Sequence, residues 1–104
     1  MTTRTALVTG GASGLGAASA ERLRADGLTV TTLDLRGGDV SADVTDEAAL
    51  ERVARDIGPI DVLVNSAGIV GPNKPLLDTT AEEWRRVFEV NVLGSVNTMR
   101  AFRA

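Results

Sequence analysis

The residues best suited to chemistry stand in the loop "TGGASGLG", Thr9–Gly16, and in the carboxylate of Asp34. Four of the loop's eight residues are glycine. A glycine-rich loop between an apolar run and a helix start leaves backbone N–H groups bare, and the positive end of the helix dipole adds to them. A phosphate seated there needs no lysine. Gly10 and Gly11 allow the sharp turn, while Gly14 and Gly16 let a ligand and the neighbouring strand approach closely. The same residues also fit a plain turn and helix start, and the loop alone does not decide.

Two phosphate-binding patterns fail when tested letter by letter. A nucleoside-triphosphate loop needs lysine after its last glycine, but Ala17 and Ala18 follow Gly16. In the strict G-x-G-x-x-G pattern, Gly14 and Gly16 fit the first two places and Ser19 takes the third. Asp34 shifts the balance. It stands eighteen residues beyond Gly16 at the end of a β-prone run. A carboxylate there can accept a ribose diol's hydrogen bonds and repels a 2′-phosphate, which favours NAD over NADP. A strand-end aspartate facing water is the plain alternative, and Arg36 is placed to pair with a 2′-phosphate.

The elements that would hold these groups alternate. "TALV" (Thr5–Val8) reads as a strand. Leu15–Asp26 reads as a helix with Leu15, Ser19 and Leu23 on its packing face and Gly27 at its end. Thr29–Leu35 is a second strand and Asp39–Val44 a weaker third. A second helix follows with Thr45 as N-cap and Leu50, Val53, Ala54 and Ile57 as its apolar face, stopped by Gly58-Pro59. "IDVLVN" (Ile60–Asn65) reads as a central strand covered on both faces. A loop with Gly68, Gly71, Pro72 and Pro75 leads to a third helix opened by a Thr80/Glu83 capping box. Trp84, Phe88, Ser95, Met99 and Phe102 trace its expected buried side. Asn91 falls on the same face, so its amide is expected to point at the core and to need partners there. This order predicts an α/β fold of Rossmann type with a doubly wound parallel sheet, and the resemblance described below implies that it is truncated after its fourth strand and following helix.

Composition narrows the function classes. A chain of 104 residues suits one domain. With 43% apolar and 24% charged residues it has the makings of a core. A net charge of −3 without a basic block argues against nucleic acid as partner. No cysteine or histidine is present, so no metal site is expected. No stretch approaches a membrane span, and the cytoplasm is the default compartment. There is no tyrosine, and Lys74 is the single lysine.

Four segments in order carry a family resemblance over essentially the whole chain. "TGGASGLG" resembles the T-G-x-x-x-G-x-G loop of the short-chain dehydrogenase/reductase family, with Gly10, Gly14 and Gly16 in the glycine places. "DVTD" (Asp43–Asp46) is similar to the segment that contacts adenine. "NSAG" (Asn65–Gly68) resembles N-N-A-G, with Ser66 for the second asparagine, and "VNVLG" (Val90–Gly94) resembles the segment with the helix asparagine, here Asn91. The resemblance implies a cofactor site of Gly10, Ser13, Gly14, Leu15, Gly16, Asp34, Asp43, Val44, Asn65, Ala67 and Gly68, with NAD expected before NADP. Asp43 could equally cap the following helix, and Asn65 could satisfy loop backbone groups. The resemblance also implies that Asn91 belongs to a catalytic Asn-Ser-Tyr-Lys set and holds a water in a proton relay.

The family's serine and Tyr-x-x-x-Lys lie beyond the third helix, and Lys74 matches no catalytic place. Residues 1–104 therefore read as the amino-terminal part of an NAD(P)-binding domain, expected to be inactive alone. The resemblance implies an oxidoreductase that interconverts an alcohol and a ketone. Segments resemble both 3-oxoacyl-carrier-protein reductases and sugar or polyol dehydrogenases. The full-length protein is expected to be a homotetramer or dimer. An apolar fourth strand left at an edge predicts marginal stability or self-association. Two alternatives stand beside this reading, a non-catalytic dinucleotide-binding module and, more weakly, a methyltransferase of related topology.

Overall fold

Strand β1 (Thr5–Thr9) runs through the middle of a four-stranded parallel sheet of order β3-β2-β1-β4. The computed structural model describes residues 3–69, 71 and 73–103. Val70 and Pro72 of the long loop lie outside them. Strands β2 (Thr29–Asp34), β3 (Val40–Ser41) and β4 (Val62–Asn65) complete the sheet. β1 pairs with β2 from Thr5↔Thr29 to Thr9↔Leu33, and with β4 from Ala6↔Val62 to Thr9↔Asn65. This is the predicted doubly wound order, and it brings the carboxyl ends of β1, β2 and β4 side by side.

Alternation along β1 divides the core. Ala6 and Val8 face one side, where Val30 and Ala20 of helix α1 (Gly14–Ala25) pack against them. Leu7 faces the other, against Leu33, Val44, Val90, and Leu50 and Val53 of helix α2 (Glu47–Ile57). The apolar face read for α2 is the one that packs, with Ile57 joining the cluster at its edge.

Helix α1 differs from its expected face. Leu15 is 84% exposed, and the buried positions are Gly16 and Ala20, one turn apart, with Leu23 behind them. The reason is proximity: a Cβ on Gly16 would run into the Gly10 carbonyl oxygen, so only a glycine lets the helix start sit against the loop. Gly27 follows the helix in the left-handed region, φ +93°, as expected of a C-terminal glycine.

β3 is only two residues long because the chain turns at Asp43, whose side chain binds Thr45. Thr45 is thereby occupied, and Asp46 is the α2 N-cap instead, accepting the Ala49 N–H at 3.1 Å. β4 lies at the sheet edge, and Val62, Leu63 and Val64 are half-buried rather than covered on both faces.

The third helix is interrupted. Helix α3 (Ala81–Phe88) passes through a π turn at Glu89–Leu93 into helix α4 (Gly94–Ala101). Thr80 caps α3 by accepting the Glu83 N–H at 3.1 Å. Glu83 returns its carboxylate to the Thr80 hydroxyl and to Lys74 rather than to the Thr80 N–H. The π turn inserts an extra residue and rotates the phase of the helix. Val90, Gly94 and Thr98 become the buried line, while Trp84 (48%), Phe88 (55%) and Met99 (50%) are exposed. Asn91 is likewise exposed rather than core-facing. Among the described residues no helix is long and apolar enough to cross a membrane.

Candidate functional site

A crevice of about 450 Å³ opens over the carboxyl ends of β1, β2 and β4. Open α/β sheets bind ligands at such a point, where the strand order reverses, and this volume suits a small molecule. Its floor is the turn after β1, and one wall is the end of β2 with the Ala42–Val44 segment. The other is the Ser66–Ile69 loop with Val90 and Arg86.

The loop after β1 is built by contact. Gly10 has φ +64°, and a Cβ there would meet Ser66 O and Ala67 N at 2.7 and 2.8 Å. Gly14 also has positive φ, +56°, but nothing lies within 4 Å of where its Cβ would be. Gly14 itself lines the crevice. At the start of α1, Ser13 makes no side-chain cap and the first turn holds no acidic residue. The other two N-termini differ: Asp46 caps α2 beside Glu47, and Thr80 caps α3 beside Glu82 and Glu83. The first N–H groups of a helix have no intrahelical acceptor. The start of α1 borders the crevice through Ser13, Gly14 and Leu15 and carries no carboxylate in its first turn, which suits an external anion.

Asp34 is fixed at the mouth. Its Oδ2 accepts the Ala12 N–H at 3.0 Å and its Oδ1 accepts the Leu35 N–H at 2.8 Å. One carboxylate thus ties the glycine loop to the end of β2, with lone pairs left over for hydroxyl donors. Arg36 is exposed and is not among the lining residues.

Asp43 sits on the same wall. Its Oδ1 accepts both the Thr45 N–H at 2.9 Å and the Thr45 hydroxyl at 2.8 Å. The Thr45 N–H, then its hydroxyl, then more weakly the charge of Arg86 lower the Asp43 pKa, against the opposing pull of burial. Asp43 is therefore an ionised acceptor at neutral pH. Val44 is buried beneath helix α4: Gly94 packs on its side chain, and the Asn97 amide donates to its carbonyl at 3.1 Å.

Of the residues expected at a cofactor, Gly10, Ser13, Gly14, Leu15, Asp34, Asp43, Val44, Ala67 and Gly68 line the crevice. Gly16 stands behind it, against Gly10. Asn65, at the end of β4, is exposed and does not line it. The loop-bracing role read for Asn65 belongs to Thr9, whose buried hydroxyl accepts the N–H groups of Ser66 and Ala67 at 3.1 and 3.2 Å. Asn91 braces the same loop from the far side through Ile69, accepting its N–H at 2.8 Å and donating to its carbonyl at 2.9 Å. A Cβ on Gly68 would come within 3.1 Å of the Asn91 Oδ1, so this glycine makes room for the brace.

Sequence reasoning missed Thr9, Arg86 and Asn97. Thr9 was readable as the residue opening the glycine loop, but its partners lie more than fifty positions away. Arg86 has no local signal beyond its charge.

The chain is similar to known proteins along nearly its whole length. Residues 10–104 match the family model described as enoyl-(acyl carrier protein) reductase. A 1-deoxy-11-beta-hydroxypentalenate dehydrogenase of Streptomyces arenae is 39% identical over 96% of this chain and 43% of its own. A 2-dehydro-3-deoxy-L-rhamnonate dehydrogenase (NAD(+)) of Sphingomonas sp. is 37% identical over 88% of this chain and 43% of its own. Among solved structures, a short-chain dehydrogenase of Streptomyces avermitilis superimposes with TM-score 0.87 at 34% identity, covering 97% of this chain and 44% of that one. A 3-ketoacyl-ACP reductase of Sinorhizobium meliloti does so with TM-score 0.84 at 34% identity, covering 94% and 47%. The chain spans less than half the length of these relatives.

Proposed function

The chain belongs to the short-chain dehydrogenase/reductase family, and from that premise we propose that residues 1–104 are the nucleotide-holding part of an NAD(H)-dependent oxidoreductase. The whole protein would interconvert a secondary alcohol and a ketone, and would assemble as a homodimer or homotetramer. Dehydrogenases of this family use NAD or NADP. The single observation that carries the reading is the bare start of α1 opposite a fixed Asp34.

The residues fit an ADP moiety in chemistry and order. The N–H groups of the α1 start would hold the pyrophosphate over Gly14, where no side chain intrudes. Asp34 would accept the adenosine ribose diol and disfavour a 2′-phosphate. Asp43 would accept the adenine amino group through its Oδ2, since Oδ1 is spent on Thr45. Val44 and Val90 would flank the ring, while Ala67 and Gly68 leave room along the loop. When bound, NAD supplies the carbon that takes or gives hydride.

Asn91 is assigned a positioning role: it holds the Ile69 peptide, and with it the wall of the crevice, and keeps one Oδ1 lone pair for a water. The family's catalytic tyrosine has no counterpart here, as the sequence contains none. The 104-residue chain is thus expected to bind NAD without oxidising alcohols. Reductases of 3-oxoacyl-carrier-protein ketones and dehydrogenases of sugars or polyols both fall within the proposed substrate class.

Calorimetric titration of the chain with NAD, NADP and S-adenosylmethionine tests the reading. Saturable binding of NAD, weaker binding of NADP and none of S-adenosylmethionine are expected. Binding unchanged by Asp34→Ala, or preference for S-adenosylmethionine, would falsify it. Turnover of secondary alcohols by the chain alone would overturn the inactive assignment.

A further inference from the structure

Among the described residues Arg86 has no firm partner on the wall of the crevice. Its neighbours are paired closely: Lys74 holds Glu83 at 2.7 Å and Arg85 reaches Glu82 at 3.4 Å. The contact of Arg86 with Glu89 is 3.9 Å between two half-exposed side chains, a pairing that contributes little. One turn on, Val90 lines the same crevice and is buried, and Gly94 packs on Val44. The helix thus presents Arg86 and Val90 in succession to the Asp43–Val44 segment. Arg86 and Asp43 line the same crevice, and the positive charge of Arg86 helps, as the smallest of the causes, to hold the Asp43 pKa down.

We propose that Arg86 is a base-binding residue: its planar guanidinium covers the face of the purine whose amino edge meets Asp43. This rests on the reading of the crevice as an adenine nucleotide site. A guanidinium stacks on flat π-systems where an ammonium cannot, and its hydrocarbon stem covers apolar surface on the way. Asp43 supplies an acceptor at the ring edge, Val44 and Val90 supply apolar wall, and Arg86 supplies the remaining face. Arg86 and Asp43 line the same crevice, so the cation stands at the ring's edge before a ligand arrives.

The test is calorimetric titration of the 104-residue chain and two variants with ADP-ribose, at low and high salt. Arg86→Leu keeps bulk but loses plane and charge, and Arg86→Lys keeps charge but loses the plane. Since the side chain is half-exposed, both are expected to melt with the parent. Stacking by an exposed guanidinium predicts that Arg86→Leu weakens ADP-ribose by about threefold to fivefold. It also predicts that Arg86→Lys recovers only part of the loss, and that the loss persists at high salt, where long-range attraction to phosphates is screened. Unchanged affinity in Arg86→Leu overturns the proposal. So does full recovery by lysine with a loss that vanishes in salt, because Arg86 would then act only as a charge. Should the leucine variant fail to fold, the lysine variant still separates plane from charge. A parent chain that binds no ADP-ribose sinks the reading of the crevice itself, a different result from binding that ignores Arg86.

Discussion

Asn91 grips Ile69 at both ends of one residue: the side-chain Oδ1 accepts the Ile69 N–H at 2.8 Å, and the Nδ2 donates to the Ile69 carbonyl at 2.9 Å. The two residues are twenty-two positions apart. The amide imitates a neighbouring strand for a loop that has none. It hangs from a π turn, an irregularity that often marks functional positions in helices. The wall of the crevice therefore depends on a side chain that does not itself line it.

Truncating that side chain should loosen the loop. Asn91→Ala removes two hydrogen bonds, each contributing about 1 kcal/mol. Faster amide exchange at Ile69 and its neighbours is expected, with the β1 amides unaffected. Asn91→Asp keeps an acceptor for the Ile69 N–H but sets a carboxylate against the carbonyl, so its exchange should fall between. Exchange at Ile69 no faster than in the parent would show that the bonds hold nothing.

Thr9 braces the same loop from beneath. It is buried, and its hydroxyl accepts from Ser66 and Ala67 while donating to the Val64 carbonyl. Thr9→Val is nearly isosteric yet leaves two N–H groups without that acceptor, so urea unfolding should show a loss of about 1–3 kcal/mol. Thr9→Ser keeps the hydroxyl and should lose less. Equal stability of all three would remove Thr9 from the architecture of the site.

Gly16 and Gly14 should separate folding from binding. A Cβ on Gly16 collides with the Gly10 backbone, which cannot yield as a flexible side chain would, so Gly16→Ala should unfold the chain or lower its melting temperature sharply. A Cβ on Gly14 meets nothing, and its cost is the left-handed backbone, about 1–2 kcal/mol. Gly14→Ala should therefore remain folded by circular dichroism while losing NAD in titration, since the methyl occupies the space proposed for the pyrophosphate.

The sheet order and the crevice were legible because they follow from local signals. Apolar runs ending in glycine mark strands, and the glycine spacing with Asp34 marks the mouth. What failed were assignments of phase and contact. Leu15 read as a packing residue because it is apolar, but the close seat of Gly16 on Gly10 turns the opposite side of α1 inward. Trp84, Phe88 and Met99 read as buried on a regular helix, and a π turn between them is not encoded in a periodicity of 3.6. Thr45 read as a cap until Asp43, two residues earlier, claimed its N–H and hydroxyl. Such outcomes depend on competition between partners, which residue type alone does not rank.

Asp34 should govern the choice between the two dinucleotides. A carboxylate about 4 Å from a phosphate is repelled by roughly 1–4 kcal/mol across surface-like dielectrics. Asp34→Asn removes the charge but keeps an oxygen for the Ala12 N–H. NADP affinity should rise by about tenfold or more, with NAD weakened modestly. An unchanged NADP:NAD ratio in competition titrations would assign the discrimination to another residue, with Arg36 the first to substitute.

Asp43 should leave its mark on the acid side of the stability profile. Its pKa is lowered in the folded chain, first by the Thr45 N–H, next by the Thr45 hydroxyl, with Arg86 adding charge. A depressed carboxyl contributes stability that is present above its ordinary value, 3.8, and is lost as pH falls through the lower folded value. Asparagine at 43 can still accept from Thr45, but more weakly and without titrating. The parent should thus unfold at higher urea than Asp43→Asn at about pH 7, with the gap constant down to about pH 5 and closing below about pH 4. Glu83, lowered chiefly by its bond to Lys74, steepens the acid limb of both proteins alike and cancels in the difference. The sequence holds no histidine. Affinity for NAD through an ionised Asp43 should therefore stay level between about pH 6 and pH 8. A gap that widens with acidity would mean the carboxylate is strained in the fold rather than held by it.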